Sequence, residues 1–144
     1  MIFDDEMRRK FQIESSRLSV NKNNPFANVA MEAVYSSGAP WLHAVIVYLE
    51  CNLKLVRGAL IKISGIEMVE PEGIFLLWIN FNGPGLDQDE LYSFLRADAK
   101  WSITRGHSLG KEGIGFARVN IACTWLKLEA ALNSLMPGIT GLKL

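Results

Sequence analysis

The sequence has 144 residues, which is enough for one domain with a buried core. Nearly half of the residues are hydrophobic and the charges balance at 15 basic against 15 acidic, so we expect a soluble, cytoplasmic globular protein that binds no nucleic acid. A glycine and a proline interrupt the longest uncharged stretch, and the start MIFDDEMRRK has no apolar segment, which argues against a membrane span and a secretory signal.

The first part of the sequence predicts three helices. Residues 4–18 have acidic residues before basic ones, the order that a helix macrodipole favours. The pair Asn24 and Pro25 is typical of a helix start, and this second helix should extend over residues 25–35. A glycine and a proline then introduce a long third helix over residues 41–60, whose first half is apolar on nearly all sides.

The middle of the sequence predicts strands. Residues 65–73 and 74–81 are short β-type runs joined by the turn EPEG. The run 74–81, IFLLWINF, is continuously apolar, so we expect a central strand that is covered on both faces. Further strands are predicted at 101–106 and 115–123, with a glycine-rich loop between them.

Two more helices complete the pattern. Asp87 is a plausible N-cap for a helix that ends near Asp98. Thr124 precedes an amphipathic helix over residues 125–135, which should stop at the string MPG. The sum is an α+β fold: N-terminal helices including one long helix, then a small mixed or antiparallel sheet with helices on one face.

One arginine, Arg118, lies inside the apolar run GFARVNIAC. It could lie on the wet face of an edge strand or pair internally with an acid. It could equally bind a carboxylate, because a guanidinium is planar, always charged and able to donate two parallel hydrogen bonds. In that case the flexible loop GKEGIG before it would let a ligand approach, whereas the loop has neither the ending nor the following helix of a phosphate-binding motif.

No other residues form a catalytic set. Cys51 and Cys123 are expected to be reduced thiols, and His43 and His107 are too few for a zinc site. From the residues alone we therefore predict one candidate substrate-binding residue, Arg118, and no catalytic, cofactor-binding or metal-binding residues.

Five strings stand in the order and spacing of a known family: NPFANVAMEAVYSSGAPWL, YLECNLKLV, VEPEGIFLLWINF, SITRGHSLGKEGIGFARVNIAC and LEAAL. Together they resemble the C-terminal part of the cystathionine β-lyase-like carbon–sulfur lyases, which are pyridoxal-phosphate-dependent enzymes of the class I/II aminotransferase family, fold type I. The resemblance extends over residues 4–135. Each string alone would be weak, but the combination is specific.

The resemblance implies a fold, a substrate and an assembly. Residues 1–144 would be a single C-terminal-type domain, in which residues 1–50 pack on a large domain and residues 51–144 form the small α+β domain. The family's arginine in the pattern GF-x-R-x-N, matched here by Arg118, binds the α-carboxylate of an amino-acid substrate. Members of the family act as homodimers, so a homo-oligomer is expected.

The resemblance also shows what the sequence lacks. The family's Schiff-base lysine lies in a serine-lysine-threonine-type motif, and no such motif occurs around any lysine here. We therefore expect no pyridoxal phosphate bound to this chain alone and no activity in isolation. Two alternatives stay open: a non-catalytic module that binds itself or another partner, and a split enzyme whose large domain is a separate chain.

One helical face departs from the family pattern. His43, Val47 and Cys51 stand at spacings of four residues in the long helix, where the family has acidic, polar or small residues. The change could be a new apolar contact surface or drift after the loss of catalysis, and we favour drift.

Overall fold

The structure is a computed structural model that describes residues 2–73 and 75–141. Its elements in chain order are α1 (Asp5–Arg17), α2 (Pro25–Ser37), α3 (Ala39–Leu60), β1 (Glu67–Val69), β2 (Leu76–Asn80), α4 (Gln88–Ala97), β3 (Thr104–Arg105), β4 (Phe116–Asn120) and α5 (Trp125–Gly141). The predicted α+β fold class is confirmed. None of the helices in these ranges has the length and apolarity that crossing a membrane requires.

The helix starts follow the capping residues in the sequence. Asp4 and Asn24 accept hydrogen bonds from the first turns of α1 and α2. Asp87 forms a capping box with Glu90, in which each side chain accepts from the other residue's backbone N–H. Because a cap satisfies N–H groups that the helix itself cannot pair, these residues fix where each helix begins.

The chain divides into two compact units, Met1–His43 and Ala44–Leu144, so the division falls inside α3. The first unit is helical. The second contains the rest of α3, the sheet, α4 and α5. The predicted domain boundary at residue 50 stays a prediction.

The four strands form one antiparallel sheet in the order β1-β2-β4-β3. Side chains alternate between its two faces, as they must in extended strands. On one face Leu77, Ile79, Ala117 and Val119 are buried in a core that includes side chains of α3, α4 and α5. The opposite face is open in the described residues, and it holds the alternate positions of β2 and β4.

The run 74–81 is the inner strand β2, but it is not covered on both faces as the sequence predicts. Ile79 is fully buried while Leu76 is 43% exposed. The prediction is wrong because an antiparallel sheet with helices on one side buries only alternate residues, even where the sequence is apolar throughout. Ile74, the first residue of the predicted strand, lies outside the described residues.

The glycine-rich segment is more compact than the predicted flexible loop. Only β3 of the predicted strand 101–106 forms, and two 3₁₀ turns, Gly106–Leu109 and Lys111–Gly113, follow it. A Cβ atom on Gly106 or Gly113 would overlap the backbone of the other glycine. These glycines therefore allow two backbone segments to touch.

The last helix is longer than predicted. The sequence predicts an end at residues 136–138, but α5 continues to Gly141. The prediction is wrong because a proline removes one helical hydrogen bond and bends a helix without forbidding it.

A buried asparagine fastens α3 to the segment between β4 and α5. The Nδ2 atom of Asn52 donates to the carbonyl oxygens of Ile121, at 2.9 Å, and Cys123, at 3.1 Å. The side chain is fully buried. The hydroxyl of Tyr48 supports the same segment, because it donates to the carbonyl of Cys123 and accepts from the N–H of Trp125.

We expect Asn52→Ala to lower the free energy of unfolding by about 2 kcal/mol, because a buried carbonyl loses its donor and a cavity forms. Asn133→Ala, at an exposed position of α5, is the matched control and should change stability by no more than about 0.5 kcal/mol. Denaturant titration of both variants measures the difference. Equal effects of the two changes would show that the Asn52 hydrogen bonds do not hold α3 in place.

Candidate carboxylate-binding site

Arg118 lies in the middle of β4, which is an inner strand between β2 and β3. Its chain neighbours Ala117 and Val119 point into the core. Strand alternation therefore places the Arg118 side chain on the open face of the sheet, where it is half-buried. The sequence puts it there because the residues before and after it are the apolar ones.

Three side chains surround Arg118 on this face. Trp78 of β2 and Thr104 of β3 are its direct cross-strand neighbours. Arg118 Nη2 donates to Thr104 Oγ1 at 3.3 Å. The ring of Trp78 stacks on Phe116, with centroids 5.4 Å apart and an interplanar angle of 12°. Arg118 thus lies between Thr104, whose hydroxyl it contacts, and its cross-strand neighbour Trp78, whose ring stacks on Phe116.

The guanidinium of Arg118 has no carboxylate partner among the described residues, since the ion pairs found there involve other cations. Neither structural role considered for Arg118 is found. The strand β4 is an inner strand and not an edge strand, and no acid of the described residues forms an ion pair with Arg118. A half-buried cation with unused N–H groups can bind a planar oxyanion through paired, charge-assisted hydrogen bonds. This role for Arg118 stays a prediction.

The other residues singled out in the sequence are not among the neighbours of Arg118 given above. His43, Val47 and Cys51 are exposed on α3. His107 is exposed in the first 3₁₀ turn, where its ring lies 5.5 Å from the ring of Tyr92. Both cysteines are free thiols. Nothing in these positions brings a nucleophile and a base together.

The described residues do not fit pyridoxal phosphate by themselves. The cofactor needs an amine within a pocket that also cradles its phosphate. Every lysine whose side chain the structure describes is exposed instead: Lys10, Lys22, Lys54, Lys62, Lys100, Lys111 and Lys127. Lys143 lies outside the described residues.

The sequence predictions missed the neighbours of Arg118. Trp78, Thr104 and Phe116 are given no role there. The signal that could have found Trp78 and Phe116 is the alternation in β2 and β4, which puts every second residue on the face of Arg118. Thr104 could be identified only from the pairing of β3 with β4, which the sequence alone does not reveal.

Comparison with known proteins gives this geometry a context, although no protein-family model matches the chain. The sequence is 30% identical over 142 residues to the cystathionine β-lyase PatB of Bacillus subtilis, covering 97% of this chain and 37% of PatB. It is 30% identical over 112 residues to the protein MalY of Escherichia coli, covering 77% of this chain and 29% of MalY.

A solved structure is also similar to this chain in fold and sequence. The pyridoxal-phosphate-bound structure of a proposed aminotransferase from Clostridium difficile matches 96% of this chain and 36% of its own, with a TM-score of 0.84 and 32% identity. The chain is therefore a homologue of the pyridoxal-phosphate-dependent cystathionine β-lyases and aminotransferases, which confirms the family resemblance. It spans between 29% and 37% of the length of these relatives.

Proposed function

We propose that the chain is the C-terminal domain of a pyridoxal-phosphate-dependent carbon–sulfur lyase or aminotransferase-like enzyme, and that Arg118 binds the α-carboxylate of its amino-acid substrate. The observation that carries the proposal is the placement of Arg118: a half-buried cation on an open sheet face, with no acidic partner among the described residues. The homology to enzymes of amino-acid chemistry supplies the ligand class.

The surroundings of Arg118 suit a carboxylate. An inner strand is hydrogen-bonded on both sides, so it fixes the base of the side chain. Thr104 engages Nη2 and leaves other N–H groups of the guanidinium for a ligand. The stacked rings of Trp78 and Phe116 give the same face a flat, apolar surface, and an ion pair is stronger beside apolar groups than in water.

The same chain is expected to bind a substrate without transforming it. Pyridoxal phosphate, when bound to an enzyme, supplies the electron sink for amino-acid cleavage and transfer. In this proposal the described residues bind the substrate carboxylate and do not bind the cofactor, so the remaining parts of the active site come from elsewhere. A separate chain that carries the large domain is one such source.

Binding of L-alanine to the chain, followed by NMR titration, tests the role of Arg118. We expect Arg118→Ala to weaken binding by about tenfold or more, because hydrogen bonds to a charged group contribute about 1.5–3 kcal/mol. The same variant should lose no more than about 1 kcal/mol of folding stability, since the side chain has no ion pair to break in the described structure.

Arg9→Ala, which removes an exposed arginine of α1, is the control with the same charge change and should bind L-alanine like the wild type. L-alanine methyl ester, which has no carboxylate, should bind neither protein measurably. Unchanged L-alanine affinity in Arg118→Ala would refute the assignment, and a stability loss above about 3 kcal/mol would indicate a buried structural pair instead.

A second candidate function is a self-associating module, and the exposed apolar side chains of the first unit favour it. Phe26 is 82% exposed and Tyr35 is 88% exposed, and both lie in α2 together with the exposed Val29, Met31 and Val34. Apolar surface of this extent on one helix tends to be covered by association.

We expect light scattering to give a mass above the 16.1 kDa of one chain. Phe26→Glu should shift the mass towards the monomer, because a charge in an apolar contact is costly to desolvate. Asn28→Glu adds the same charge at a polar position of α2 and should leave the mass unchanged. A wild-type monomer at high concentration would exclude the module.

A further inference from the structure

A second concave site lies in the unit Ala44–Leu144, at the end of α4, and the proposed substrate site does not include it. It is a cavity of about 390 Å³ between the last turns of α4 and the segment that leads into β3. Arg118 is not among its lining residues, so the two sites can be tested separately. Its charged lining residues are Arg96, Lys100 and Arg105.

All charged groups that line the cavity have the same sign. No Asp or Glu of the described residues lines it, and none of the three cations takes part in an ion pair there. Like charges that line one cavity favour an anion between them, and because all three residues are exposed to solvent the effect is weakened by screening.

Two buried aromatic side chains, Tyr92 and Trp101, line the cavity, and one of them contacts a cation. The hydroxyl of Tyr92 donates to the carbonyl of Phe116 at 3.0 Å and accepts from the N–H of Gly106 at 3.1 Å, and the residue is 4% exposed. The guanidinium of Arg105 lies over this ring, 5.1 Å from its centroid. Trp101 is 7% exposed and donates through Nε1 to the carbonyl of Ala131 at 2.7 Å.

The other two cations reach the cavity from α4 and from the segment after it. Arg96 follows Tyr92 by four residues and so lies on the same side of α4, whereas Lys100 lies three residues after the helix end at Ala97. A cation in the last helical turn also complements the helix macrodipole, which accounts for Arg96. It does not account for Lys100, which follows the helix, or for Arg105, which comes from β3 and lines the same cavity.

The backbone at Lys100 adds an independent observation. Its φ is 57°, a left-handed conformation that glycine or asparagine normally occupies after a helix. A lysine here costs about 1–2 kcal/mol relative to an unstrained position. A strained residue that lines a cavity points to a use for its side chain.

We propose that this cavity binds a small, multiply charged oxyanion, which Arg96, Lys100 and Arg105 neutralise together. Guanidinium groups bind phosphate and carboxylate through paired N–H groups, and the lysine adds a compact positive charge. The shared chemistry is that of a small molecule with at least two negative charges on phosphate or carboxylate groups. The hydroxyl of Ser102, which also lines the cavity, is a further donor.

Calorimetric titration of the full chain with pyrophosphate and, separately, with citrate tests the proposal at low ionic strength. Binding of either anion supports it, and the tighter one identifies the class. Arg96→Gln and Arg105→Gln should each raise the dissociation constant about tenfold. Lys127→Gln removes the same charge from an exposed position of α5 outside the cavity and should change it by less than about twofold.

Lys100→Gly separates a binding role from a structural one. Glycine accepts the left-handed backbone, so the thermal midpoint should not fall, while the dissociation constant should rise about tenfold. Arg105→Lys should retain part of the binding because it keeps the charge. The proposal is overturned if neither anion binds, if the cavity variants bind as tightly as the wild type, or if Lys127→Gln weakens binding as much as they do.

Discussion

The alternation of side chains along an inner antiparallel strand is the constraint on which the structure depends. In β4 it sends Ala117 and Val119 into the core and leaves Arg118 on the other face. The core then stabilises the strand, and the strand holds the cation in place without an acidic partner among the described residues. A permanent charge in an apolar run is tolerated because only every second residue of that run is buried.

One face of the sheet is covered and the other is open, and the chain spans only about a third of the length of its relatives. One face is closed by α3, α4 and α5, and it accounts for the buried core. The other holds Arg118 and the stacked rings of Trp78 and Phe116, and it is open in the described residues. A face that combines aromatic surface with an unpaired cation is suited to meet a ligand, in line with the proposed function.

Local chemistry in the sequence was enough to predict the five helix starts and the strand that contains Arg118. The caps at Asn24 and Asp87 act within a few residues, so the sequence contains everything that determines them. The open side of β2 could not be predicted, because its residues are apolar on both faces and only the tertiary arrangement decides which side is covered. The basic cavity had no sequence signal either, since Arg105 joins Arg96 and Lys100 only through folding.

The central proposal is that this chain binds the substrate carboxylate through Arg118 and has no site for pyridoxal phosphate among its described residues. The most direct measurement is reduction with borohydride in the presence of pyridoxal phosphate, followed by mass-spectrometric mapping of the labelled lysines. The account predicts sparse labelling spread over the exposed lysines and no visible absorbance band of a stable adduct. Stoichiometric labelling of a single lysine, with such a band before reduction, would contradict it.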